Sequence, residues 1–512
     1  MITLSSKSLP RLLQLLLATA LISIAIALKP DPEFSDVTQA AGIAITRLKK
    51  YGAPSVVDLD RDGYPDMLFC HHDQTFEELY FNNRDGTFTK AQWGIHHDTH
   101  GFNAYPVSPD TRTMRFSMSV GGNFGRDPNP PFVFEVNPFT RAVTRIDAAV
   151  GLDQAGGRGR SAVYLDLSGG RHPQWLDVIY TNAQALNGSS QFAYENVDGN
   201  KFALRHLKGG FETSDNSLAM VTDVDGDGAV EIVAMWRFTM YKVTGEFELT
   251  DITSSVIPPG MPRTGVIAVA EIDFDNDGDF DLYLARHRVG PWLPDIAYDD
   301  ILLENRNGKY VDVSNRAGIP KGTLSHGVTV GDFNNDGWVD IYVAQYTEPD
   351  FMLMNQGDGT FRRVDDVTTR PKNTRGDNAV AVDYDLDGRL DIISSQGDHN
   401  DVEYGGSYKI FRNILDMSAG ESNYLNVRVG LPWDRSVTPM HAVVLLNAGN
   451  LWLSRRVGSP GTEVSNSYLE NLHFGIGPRT MVDVVYVKFS NGYVVVRRNM
   501  RHGQTVLVGL HP

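Results

Sequence analysis

One cysteine, Cys70, stands in 512 residues, so no disulfide can form within a chain. Stability outside the cell would then come from core size, closure of the fold or bound metal. Basic residues are outnumbered, with 46 Lys and Arg against 63 Asp and Glu and a formal net charge of -17. That balance argues against nucleic acid as a partner, because phosphate backbones need a basic face. Beyond the first thirty residues no apolar run approaches the length of a membrane helix. The sequence also lacks a nucleophile elbow, a phosphate-binding glycine loop and an HExxH helix.

What is present begins with a leader. Lys7 and Arg11 precede the apolar run "LLQLLLATALISIAIAL", and Ala25-Ile26-Ala27 supplies a small-x-small cleavage pattern. Residues 1–27 read as a signal peptide, which makes the protein secreted, or membrane-anchored if the leader stays uncleaved. Asn187-Gly188-Ser189 is a glycosylation sequon, with Asn187 as acceptor.

The acidity is concentrated in a repeat. "DLDRDGYPD" at 58 returns as "DVDGDGAVE" at 223, "DFDNDGDFD" at 273, "DFNNDGWVD" at 332 and "DYDLDGRLD" at 383. A degenerate copy, "DLSGGRHPQWLD", runs from Asp166 to Asp177. Each copy lies between alternating apolar runs. A second repeated piece, as in "LYFNNRDGTFTK" and "LMNQGDGTFRRV", reads as two strands around an Asn/Asp-Gly turn. The last four steps between loops are 57, 50, 59 and 51 residues, and the first is 108, room for one further unit without a loop. Seven units of four short strands are the signature of a β-propeller. The segment "FSDVTQAAGI" at 34–43 resembles the fourth-strand segment "YVDVSNRAGI" at 310–319. It is therefore expected to complete the seventh unit and leave no open sheet edge. The expected fold is all-β, a seven-bladed propeller over 28–417 followed by a small all-β domain over 418–512.

In each loop, oxygens fall at positions 1, 3, 5 and 9, and Gly at 6 permits the reversal. The side-chain ligands expected are Asp58, Asp60, Asp62, Asp66; Asp223, Asp225, Asp227, Glu231; Asp273, Asp275, Asp277, Asp281; Asp332, Asn334, Asp336, Asp340; and Asp383, Asp385, Asp387, Asp391. Backbone carbonyls at position 7, on Tyr64, Ala229, Asp279, Trp338 and Arg389, complete the sets. All-oxygen sites of this kind suit Ca²⁺, which accepts six to eight irregularly placed ligands; Mg²⁺ demands an octahedron and Zn²⁺ prefers nitrogen or sulfur. About five Ca²⁺ ions are expected. EF-hands are excluded, because position 12 holds Phe69, Ala234, Leu284, Val343 and Ser394 rather than Glu, and the flanks alternate with period two.

On these loops the chain resembles the integrin-α-type FG-GAP/VCBS repeat family, which implies a propeller with Ca²⁺ in its loops. After Met417, "LHFGIG" at 472–477 followed by a V-x-V strand resembles the ASPIC/UnbV domain, with "KFSNG" at 488–492 in the place of its usual turn. The combination resembles the cartilage acidic protein family and its microbial relatives. That resemblance implies an exported Ca²⁺-binding protein of recognition or adhesion type, whose partner is an extracellular protein or glycan. A secreted enzyme with an axial propeller site and a structural matrix component are the alternatives. Arg375-Gly376-Asp377, His97 with Asp98 and His100, and "GGRGRS" at 156–161 are further polar clusters; the first two occupy the place where a strand enters a unit.

Overall fold

The computed structural model describes residues 30–44, 52–71, 75–106, 113–122, 126–171, 174–183, 190–214, 217–288, 295–370, 375–396, 407–433, 437–459, 461–462 and 465–510. The leader and Asn187 lie outside the described residues. No described helix is long and apolar enough to cross a membrane.

Between Phe34 and Asn413 the described strands form seven antiparallel sheets in chain order, numbered here 1 to 7. Sheet 1 takes Ser55–Val57, Asp66–Phe69, Glu78–Asn82 and Phe88–Lys90. Sheet 2 begins with Thr99–Pro106 and Met114–Val120, at the place where the sequence has room for a unit without an acidic loop. Sheet 3 opens with Gly159–Leu165, sheet 4 with Ala219–Thr222, sheet 5 with Thr264–Ile272, sheet 6 with Ser325–Gly331 and sheet 7 with Gly376–Val382. Each is a four-strand meander, and sheet 5 carries three short additions. The short strands are apolar on both faces because each sheet is sandwiched between its neighbours, so the core runs from sheet to sheet. Phe34–Asp36 pairs with Tyr408–Asn413 as the outer strand of sheet 7, as the repeat predicts. The N-terminal segment thus supplies a strand that the last sheet lacks.

The opening strands face inward and are stapled to one another by side chains. Asn103 Oδ1 accepts the Ala162 amide (3.1 Å), Ser161 Oγ that of Ala219 (3.1 Å), and Thr329 Oγ1 that of Ala381 (3.0 Å). These buried polar groups satisfy amides that the ladders leave unpaired.

The C-terminal module has two sheets. One joins Asn423–Val429 to Asn471–Gly477 and, in parallel, to Thr505–Val508; the other orders Leu451–Arg456, Val443–Ala448, Met481–Lys488 and Val494–Arg501. Leu425, Val427, Leu446 and Phe474 share one continuous apolar cluster with Leu59, Phe102 and Tyr164 of sheets 1 to 3. A segment of the module also runs among the opening strands. Ser465 Oγ donates to Ala53 O (2.7 Å) and Asn466 Nδ2 to Ala162 O (3.0 Å). The Tyr468 amide donates to Val56 O (3.0 Å), and Gly461–Thr462 pairs with Val269–Ala270. The space between the opening strands of sheets 1, 2, 3 and 5 is therefore occupied by the chain itself.

Candidate metal centres

Every acidic loop has the same backbone path. Position 4 is left-handed in all five, at Arg61, Gly226, Asn276, Asn335 and Leu386, with φ from 58° to 72°. Position 6 is Gly with φ from 86° to 102°, the reversal that its missing Cβ permits. This path turns the amides of the loop onto the aspartate at position 1. Asp58 accepts from Asp62 N (3.0 Å) and Gly63 N (2.9 Å), and Asp383 from Asp387 N (2.9 Å) and Gly388 N (2.9 Å). The aspartate at position 5 accepts the amide at position 7, as Asp336 does from Trp338 (2.8 Å).

The acid at position 9 also latches the hairpin. Where it is Asp, its two oxygens take the amide of position 2 and an amide of the third strand. Asp281 accepts from Phe274 N (3.1 Å) and Asn305 N (2.7 Å), Asp340 from Phe333 N (3.1 Å) and Asn355 N (2.8 Å). Asp177 of the degenerate loop makes the same pair with Leu167 N and Asn196 N. This latch closes the hairpin even where the middle carboxylates are lost. The third-strand Asn then reaches the loop of the preceding acidic unit: Asn355 Nδ2 donates to Phe274 O, Asn413 Nδ2 to Phe333 O and Asn82 Nδ2 to Tyr384 O. The last of these ties sheet 1 to sheet 7. Sequence reasoning overlooked these asparagines, although the Asn before the turn in "LYFNN", "LLEN" and "LMNQ" was the signal.

Four loops gather three carboxylates with ligand atoms within 4.8 Å of one another: Asp58, Asp60, Asp62; Asp223, Asp225, Glu231; Asp273, Asp275, Asp281; and Asp383, Asp385, Asp391. In the first it is Asp62, not Asp66, that joins the group. The 332 loop, with Asn334 at position 3, offers a mixed set. Burial pushes Asp273 and Asp383 up to about 7 and Asp281 up to about 9, and neighbouring loop carboxylates add to the rise. Carboxyls crowded in this way favour a cation among them. Asp273 Oδ2, Asp275 Oδ1 and Asp385 Oδ1 are buried without a hydrogen-bond partner, so these cradles retain acceptor capacity. A divalent ion fits this donor set of anionic oxygens.

The C-terminal module sits on this acidic face. Arg428 donates to Asp58 Oδ2 (2.8 Å) and to Glu470, which also pairs with Arg61. Asn426 Nδ2 donates to Asp383 Oδ2 (2.8 Å), and Lys488 reaches Gly226 O. Arg455 is buried where it feels both Asp273 and Asp332. Gly475 lies so close to Asp332 that a Cβ there would stand 2.0 Å from Oδ2. Composition matches the contact, since 418–512 holds nine Lys and Arg against five Asp and Glu in a chain that is acidic overall.

Residues 273–343 and 332–394 match the family model of the FG-GAP-like repeat. The chain carries FG-GAP-like repeats. Cartilage acidic protein 1 of mouse is 27% identical over 266 residues, which are 48% of this chain and 38% of that protein. The frog Xenopus tropicalis counterpart is 30% identical over 221 residues, 38% of this chain and 32% of its own length. The chain thus spans about a third of the length of the curated relatives it matches. Among solved structures, the rhamnogalacturonan lyase of Bacillus licheniformis aligns with 94% of this chain and 75% of its own at 14% identity and a TM-score of 0.38. An α-L-arabinofuranosidase of Fusarium graminearum aligns with 61% and 92% at 11% identity and a TM-score of 0.36.

Arg375 and Asp377 fold inward beside these FG-GAP repeats. Arg375 lies over the Tyr346 ring, 4.3 Å from its centroid, and Asp377 Oδ1 is 3.1 Å from His326 Nε2 with its side chain 9% exposed. The Arg-Gly-Asp tripeptide therefore packs at the entry to sheet 7. Cys70 is buried, with its carbonyl accepting from Tyr408 Oη (2.7 Å).

Proposed function

We propose that this is an exported calcium-binding protein of recognition or adhesion type, whose repeat loops bind Ca²⁺ and whose partner is an extracellular protein or glycan. The observation that carries the reading is the recurrence, in four FG-GAP-type loops, of three converging carboxylates, with oxygens left unsatisfied in two of them. Relatedness to cartilage acidic protein points the same way. The acidic face is covered by the C-terminal module, so partner recognition falls to the opposite face and the outer strands. Ca²⁺ here shapes the scaffold that presents those surfaces and need not touch the partner.

Binding of the full chain to panels of extracellular proteins and polysaccharides, in millimolar Ca²⁺ and again in chelator, tests the proposal. Capture that persists in Ca²⁺ and falls away in chelator is expected. Turnover of a polysaccharide or ester, lost on altering one residue of the propeller, would overturn it in favour of a secreted enzyme.

A further inference from the structure

The five loops share one backbone but not one electrostatic environment, and the difference traces to a single position. Strand register sets a third-strand residue level with the acid at position 9. The Ile232–Tyr241 pair places Lys242 opposite Glu231, and Ile392–Phe411 places Arg412 opposite Asp391. By the same register Leu282–Leu303 places Glu304 opposite Asp281, Met67–Tyr80 places Phe81 opposite Asp66, and Ile341–Leu353 places Met354 opposite Asp340. One position thus carries Lys, Arg, Glu, Phe and Met in turn.

In the 223 loop, Lys242 Nζ lies 2.7 Å from Asp225 Oδ2, 3.0 Å from Asp227 Oδ2 and 2.9 Å from Glu231 Oε1. Its ammonium therefore touches the carboxylates of positions 3, 5 and 9 together. In the 383 loop, Arg412 donates to Asp385 Oδ2 and Asp387 Oδ2, both at 2.8 Å. The 273 loop is the opposite case. Its facing Glu304 is itself paired with Arg306 and Arg316 and brings no ammonium to the loop, and Asp273 Oδ2 and Asp275 Oδ1 are buried without partners. Asp273 is only 2% exposed. The 58 loop is intermediate in kind. Its facing residue is Phe81, and Arg141 of the neighbouring sheet, laid 4.9 Å from the Phe81 ring centroid, reaches Asp60 Oδ2 at 2.6 Å.

We propose that this facing residue sets the affinity of each site for a divalent cation, with the 223 site, neutralised by the tethered ammonium of Lys242, the weakest and the 273 site, whose buried carboxylate oxygens stay unpartnered, the tightest. The inference rests on the cation-binding reading of the loops and adds the rank order within it. The physical ground is that a divalent ion entering the 223 loop must displace, or sit beside, a like charge already paired with three of its ligands. In the 273 loop the facing residue sets no such charge against the ion.

Calorimetric titration of the calcium-stripped full chain with Ca²⁺ tests the ranking. The wild type is expected to bind in more than one affinity class. Lys242→Met should tighten one weak site by about tenfold or more, and Glu304→Lys, which sets an ammonium at the facing position of the 273 loop, should weaken one tight site by about the same factor. Adding Asp223→Asn to Lys242→Met should abolish the site that was gained, which assigns it to the 223 loop. Arg412→Met repeats the test at the 383 loop in case Lys242→Met fails to fold, which circular dichroism will show. Saturable binding to the loops with affinities unmoved by these variants would overturn the ranking and leave the cation-binding reading intact. A chain that takes up no Ca²⁺ at any loop would overturn that reading and the ranking with it.

Discussion

Leu386 is the one apolar residue among the five loop positions held left-handed, with φ 58°, where the 273 and 332 loops place Asn276 and Asn335. Both asparagines reach the glycine carbonyl of the next loop, Asn276 Nδ2 to Gly337 O at 3.0 Å and Asn335 Nδ2 to Gly388 O at 2.8 Å. Leu386→Asn relieves a left-handed conformation that costs an ordinary residue about 1–2 kcal/mol. Stability is expected to rise by about 1 kcal/mol in a urea titration at saturating Ca²⁺, and a fall would show that the Leu386 side chain contributes more packing than strain. His441 gives a second prediction at this scale. Its Nε2–H donates to Tyr164 O (2.7 Å), Nδ1 faces the Arg456 guanidinium (2.9 Å), and burial with that charge pushes its pKa down to about 3. The unfolded chain takes up this proton near pH 6.5 and the folded chain does not. Stability from His441 is therefore present above about pH 6.5 and is lost progressively as pH falls toward 3. The acid slope of the urea midpoint should be shallower in His441→Gln; an unchanged slope would remove His441 as its source.

At the scale of the hairpin, the acid at position 9 and the third-strand Asn do the fastening that sequence reasoning assigned to metal alone. Asn355 Nδ2 donates to Phe274 O and Val339 O, while Oδ1 accepts the Gly357 amide. Asn355→Ala leaves buried carbonyls and an amide unpaired and should cost about 2–4 kcal/mol, read as a lower urea midpoint in Ca²⁺ and in chelator alike. Loss of stability only in Ca²⁺ would mean that the staple serves the ion site and not the fold. The strand pattern, the loop glycines and closure by Phe34–Asp36 were legible because period-two alternation and near-identical repeats encode them directly. The left-handed residue at position 4 was hidden, since Arg61, Asn276 and Leu386 share no side-chain character. The latch was hidden too, because a carboxylate that accepts two amides looks in sequence like any other ligand.

At the scale of the molecule, the acidic face is where the C-terminal module is held. The sequence contains both halves of this contact, an acidic repeat and a terminal stretch with more basic than acidic residues, yet nothing in a linear pattern says that one covers the other. Only three-dimensional packing brings Asn426 to Asp383, Arg428 to Asp58 and Ser465 to Ala53. In the 58 and 383 loops the module touches Oδ2 of the position-1 aspartate, the oxygen that also accepts the Gly amide, and leaves Oδ1 turned to the loop. In the 383 loop a bound ion and the module's neutral Asn426 would thus steady the same carboxylate and favour each other, whereas in the 58 loop Arg428 brings a like charge that opposes the ion. Gly475→Ala, which sets a methyl against Asp332 and the Asn335 backbone, should lower the urea midpoint and weaken Ca²⁺ binding together. A loss of stability with Ca²⁺ affinity unchanged would separate the two. The central claim, that divalent ions in the repeat loops hold this assembly together, is tested most directly by thermal melting of the chain in millimolar Ca²⁺ and in excess chelator. Ligands that bind only the folded state raise its stability by mass action, and several sites together predict one cooperative transition in Ca²⁺ that drops by about ten degrees or more in chelator. A melting temperature that is the same in both would contradict the claim and leave the carboxylate latches and asparagine staples as the fastenings of the fold.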